Sequence, residues 1–122
     1  MALTELAGHV GAVMAKYLLL YRSPVSATEQ MSGASAEAAQ AGMEAWMTWA
    51  GKAGSAIIDM GSPVARAISV GAECGPGDSI GGYSILEADS LDALEALLDG
   101  HPHLNVEGAA IEVHEFLPLP GM

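Results

Sequence analysis

The last third of the chain does most to restrict what it can become. Ile80 to Glu87 has the length and flanks of a strand. Asp89 and Ser90 follow as a helix cap, with Asp92 and Glu95 near the positive end of the helix dipole. Leu91, Leu94, Leu97 and Leu98 then recur at helical spacing, and Gly100 stops the run. His101 and His103 stand at the helix exit. Ala110 to Leu117 reads as a closing strand that carries His114, and Pro118 and Pro120 end its pairing.

The first half repeats this plan. Ala15 to Tyr21 is a short apolar and aromatic run with a polar exit at Arg22-Ser-Pro24, which favours a buried strand over a helix. Ser26-x-x-Glu29 has capping-box spacing and begins a helical turn. A longer helix is expected from about Ser35 to Lys52, with Ala39, Met43, Trp46, Met47 and Ala50 forming its core stripe. Trp49 lies off that stripe and needs another surface. Ser55 to Met60 reads as a second strand, closed by Gly-Ser-Pro63. The connector that follows, to about Ser79, holds a short strand at Arg66 to Val70 and a loop dense in Gly and Pro from Gly71 to Asp78. So long a connector points to a hairpin or a flap.

The order is β-α-β-connector-β-α-β, which makes the chain α+β and ferredoxin-like, an antiparallel sheet with two helices on one face. The domain is expected over residues 15–118, with residues 1–14 as an N-terminal extension and 119–122 as a tail. Length agrees, since 122 residues suit one domain with a core that needs no disulfide or metal. Strand alternation sorts the last strand into two sides. Ile111, Val113, Glu115 and Leu117 share one, and Glu112, His114 and Phe116 share the other. The second side is too apolar to lie bare and too polar for a plain core. A homodimer closing over it, with a pocket inside, satisfies both constraints.

Charge excludes some partners. Asp and Glu number 15 against 4 Lys and Arg, a formal charge of -11, which repels nucleic-acid phosphates and anionic lipid. No apolar run approaches the ~18 residues of a membrane span. Residues 1–13 lack the basic start of a signal peptide. Cys74 is the one cysteine, which rules out an intramolecular disulfide and fits the cytoplasm. Gly75-x-Gly77 with Gly81 precedes a strand rather than a helix, so dinucleotide binding is rejected. No cofactor is expected.

The histidines mark the candidate site. His101, His103 and His114 with Glu112 include metal-ligand types, but their spacing matches no metal signature, and none is expected. His114 is the candidate general base, with Glu112 or Asp59 beside it. The candidate ligand-binding residues are His101, His103, Glu112, Phe116, Tyr83 and Trp49.

Lys16 to Tyr21, the Trp-rich first helix, Gly82-Tyr-Ser-Ile-Leu-Glu-Ala-Asp-Ser90, His101-Pro-His103 and Ile111-Glu-Val-His-Glu-Phe116 together resemble the YCII-related domain family, including its DGPF branch. The resemblance covers about Ala15 to Pro118. It implies a ferredoxin-like fold and a dimer of the α+β-barrel type. Enzymatic members of that family pair a histidine on the first helix with an aspartate shortly after it. Asp59 matches the aspartate, while Trp46 and Trp49 occupy the region of the histidine, and Gly75-Pro-Gly-Asp-Ser79 stands near the place of the DGPF motif. The function expected is a dimer that binds a small uncharged or cationic organic molecule. The rivals are a small hydrolase, lyase or isomerase using His114, and a module whose dimerisation is itself the function.

Overall fold

The computed structural model describes residues 14–75 and 79–120. The expected N-terminal extension up to residue 13, residues 76–78 of the Gly/Pro loop and the last two residues of the tail lie outside them. The elements are β1 (Ala15–Arg22), α1 (Ala27–Gly33), α2 (Ala36–Ala53), β2 (Ile57–Pro63), β3 (Ile80–Ala88), α3 (Leu91–Leu98) and β4 (Ala110–Glu115). One four-stranded sheet runs in the order β2-β3-β1-β4. Every neighbouring pair is antiparallel. The chain is therefore α+β, and in general terms it agrees with a ferredoxin-like arrangement.

Three serines start the three helices. Ser26, Ser35 and Ser90 each accept the backbone N–H three residues on, at 3.1, 3.0 and 3.0 Å. Each such cap is worth about 1 kcal/mol. Glu29 completes a capping box at Ser26, and the turn expected there grows into the full helix α1. The described residues thus hold three α-helices rather than two.

The core lies on one face of the sheet. Tyr17, Leu19 and Tyr21 of β1 and Leu86 and Ala88 of β3 pack with Trp49 and Ala53 of α2 and Leu94 and Leu98 of α3. Ile111 and Val113 of β4 join from the edge. Burying one such leucine stabilises the fold by about 2 kcal/mol.

Several boundaries and one helix face differ from expectation. On α2 the core is met by Trp46, Trp49, Ala50 and Ala53. Met43 and Met47 are 63% and 58% exposed, whereas Trp49 is 4% exposed. Of the expected stripe, Trp46 and Ala50 meet the core while Ala39, Met43 and Met47 are exposed, because α2 touches the core only through its C-terminal half, where Trp49 and Ala53 are its buried residues. Strand β2 runs on through Gly61 to Pro63. Gly61 has φ +83°, and a Cβ there would lie 1.6 Å from the Tyr83 carbonyl oxygen, so only glycine lets the strand stay paired across this irregularity. The strand expected at Arg66 to Val70 does not form, and Ile68 and Val70 are exposed there. Strand β4 ends at Glu115, two residues early.

Candidate functional site

Alternation along the strands puts Leu18, Leu20 and Arg22 of β1, Tyr83 and Ile85 of β3, and Glu112 and His114 of β4 on the face turned away from the core. A polar network runs along one edge of that face. The Arg22 guanidinium donates through Nε to Glu112 and through Nη1 to Ser79 Oγ at 2.6 Å. The other oxygen of Glu112 bonds His114 Nε2. Arg22 first, and His114 second, hold the Glu112 carboxyl below its ordinary range. At the opposite edge Tyr83 donates its hydroxyl to Asp59 at 3.2 Å, and the Asp59 charge pushes that phenol up. Between the edges lie the half-buried side chains of Leu18, Leu20 and Ile85.

The helix side of the sheet holds a second polar cluster, and it is closed. His101 is fully buried and caps the short helical turn Pro102–Asn105, its Nδ1 accepting the His103 N–H at 3.0 Å. Its proton therefore sits on Nε2, which has no hydrogen-bond partner among the described residues. The rings of Trp49, Trp46 and Tyr21 surround it at centroid distances of 4.3, 4.6 and 5.2 Å. Burial, helped by the neighbouring His103, pushes the His101 pKa down to about 4, so the imidazole is neutral at pH 7. Tyr21 donates to Ser84 Oγ at 2.8 Å, and Ser84 donates to the Met60 carbonyl at 2.7 Å. Burial raises the Tyr21 phenol to about 12, against the pull of Ser84.

One residue touches both clusters. His103 Nε2 donates to the main-chain oxygen of Arg22 at 2.9 Å, while the side chain of Arg22 serves the opposite face.

The sheet thus separates the residues singled out from the sequence. His114, Glu112, Tyr83 and Asp59 lie on the open face. Phe116 lies just past β4, exposed, its N–H bonded to the Lys16 carbonyl at 2.9 Å. His101 and Trp49 lie in the core beneath the other face, so they line no pocket shared with His114. The pairing of His114 with Asp59 is not made within one chain, since they stand on opposite edge strands. Arg22 and Ser79 were not picked out from the sequence. The phase of β1, Lys16, Leu18, Leu20, Arg22, was the signal that places Arg22 beside Glu112.

Among the described residues no group of three or more His, Cys, Asp or Glu side chains is placed to hold a metal ion. No described helix is long and apolar enough to cross a membrane. An open cleft of about 570 Å³ lies where the start of α1 meets the chain after β2, lined in part by Thr28, Glu29, Val64, Arg66 and Ile80. None of the candidate catalytic or ligand-binding residues lines it, and Arg66 is already held by Glu73 at 3.2 Å and the Gly75 carbonyl at 2.7 Å.

Comparison with known proteins gives no family: no protein-family model matches the chain, and no curated protein matches it.

Proposed function

We propose that the chain works as a homodimer closed over the open sheet face, holding a small uncharged or cationic organic molecule against Glu112 and His114. The observation that carries this reading is the layout of that face. An apolar strip of Leu18, Leu20 and Ile85 lies beside an imidazole already bonded to a carboxylate. A bare face of this kind is not a pocket, and becomes one only when covered. The acidic balance of the chain disfavours anions as ligands. The sheet order supports the finer fold reading of interleaved βαβ units. The sequence resemblance to YCII-related proteins points the same way. Sedimentation and gentle native mass spectrometry test the proposal together. A dimer that carries an extra small mass is expected. A well-folded monomer at about 10 μM, too weak for a specific stable interface, overturns it.

A second reading, a small hydrolase, lyase or isomerase, is favoured by the Glu112 to His114 hydrogen bond. A carboxylate that orients an imidazole prepares it for general acid and base work. Turnover lost in His114→Gln with the dimer intact would support it. Turnover unaffected by that change would exclude His114 as the acid or base.

A further inference from the structure

One row of the open face is in register across all four strands. Asp59 of β2 pairs with Ile85 of β3, Ile85 with Leu18 of β1, and Leu18 with His114 of β4. Three steps of about 4.8 Å set its two ends about 14 Å apart. Asp59, with Tyr83 bonded to it, therefore marks one edge of the face. His114, with Glu112 and Arg22, marks the other.

We infer, resting on the dimer reading above, that the site is composite: the partner's Asp59 and the partner's Tyr83 complete the Glu112 and His114 pair of each protomer. Two sheets can stack face to face about a twofold axis in two simple ways, with their strands within about 30° of alignment. An axis running across the strands lays each edge strand over its own copy. With that axis on this row, Asp59 meets the partner's Asp59 and His114 the partner's His114, like on like in a space without water. An axis running along the strands lays β4 over β2 of the other copy. That sets Leu18 against the partner's Ile85, apolar on apolar, and His114 against the partner's Asp59, base against acid. A twofold contact is reciprocal, so the same pairing forms twice. Each site then has an imidazole between two carboxylates with a phenol beside them, at the end of an apolar seam. Such a set accepts the hydrogen-bond donors of a neutral or cationic head group and repels an anion.

Cysteine cross-linking tests the arrangement. In a Cys74→Ser background, Asp59→Cys and His114→Cys are combined in one chain. Stacked sheets lie about 10 Å apart, beyond the roughly 7 Å between Cα atoms that a disulfide spans, so a short bismaleimide is used, which bridges facing sulfurs across the two sheets but not the ~14 Å between the two positions within one chain. It is expected to give a covalent dimer on a denaturing gel, at least tenfold more than either single variant gives. A second pair one row along, Ser62→Cys with Glu112→Cys, is expected to behave alike and guards against local damage at Asp59. Either pair giving the covalent dimer supports the arrangement. A protein that sediments as a dimer but cross-links through neither pair overturns it. So does efficient cross-linking of a single variant, which would mean that edge strands lie on their own copies. If the unmodified protein sediments as a monomer, the dimer reading itself has failed, and the composite site with it.

Discussion

The indole N–H of Trp49 donates a 2.8 Å hydrogen bond to the carbonyl oxygen of Leu97, joining α2 to the end of α3. That carbonyl is one of the last four of its helix, which have no partner within the helix. Lys52, one turn on, gives its ammonium to the Asp99 carbonyl at 3.0 Å. The end of α3 is thus capped by side chains of another helix.

Trp49→Phe keeps a ring in the core but loses this bond, and should cost roughly 1–2 kcal/mol. Trp49→Ala also opens a cavity and should cost roughly 3–5 kcal/mol. Urea melts of the two variants check this. A Trp49→Phe melt that matches wild type would mean that the bond to Leu97 contributes nothing.

The Tyr21, Ser84 and Met60 chain predicts an order of effects. Ser84→Ala strands the buried Tyr21 hydroxyl and should cost about 1–3 kcal/mol. Tyr21→Phe leaves Ser84 its bond to Met60 and should cost less. Finding Tyr21→Phe the worse variant would contradict the direction of the bonds.

Acid should loosen the fold through His101 before it does so through carboxylates. Above an ordinary imidazole value of 6.5, folded and unfolded chains are both neutral at this residue. Between 6.5 and about 4 only the unfolded chain takes up the proton, so stability falls as pH falls through that window and levels off below it. The loss is on the order of 2–3 kcal/mol. Glu112, whose pKa is lowered, also contributes stability that is lost on acidification, but only as pH falls below the ordinary carboxylate value. Denaturant melts from pH 7 to 4 should slope in wild type and flatten in His101→Asn, which keeps an acceptor for the His103 N–H. An unchanged slope in that variant would place the titration elsewhere.

His101 and His114 should fail differently. His101→Ala removes a buried ring and a cap, and should lower the melting temperature of the subunit. His114 is exposed in the single chain, so His114→Ala should move that melt by no more than about 0.5 kcal/mol. It should instead weaken the dimer or its ligand. Thermal shift and native mass, measured on both variants, separate the two.

Local chemistry was legible in the sequence. The serine caps, the spacing of Leu94, Leu97 and Leu98 on α3 and the phase of β4 are short-range patterns that describe this chain well, while Leu91, expected on the same core face, is exposed. The failures arose where distance along the chain says little. Met43 with Met47 and Trp46 with Trp49, Ala50 and Ala53 both recur at helical steps. Which arc is buried depends on how far α2 reaches past the sheet. His101-Pro-His103 reads as a solvent loop, yet Pro102 opens a helical turn that folds His101 inward. Asp59 and His114 looked like possible partners, but strand order sets them on opposite edges.

The outward turn of the methionines on α1 and α2 has a chemical consequence. Met31, Met43 and Met47 present their thioethers to solvent on a stretch of helix that contributes little to the core. Peroxide reaches these sulfurs and converts them to polar sulfoxides. Polar groups are already at home there, so oxidative damage falls where the packing does not register it, and a reductase can reach the lesion without unfolding the chain.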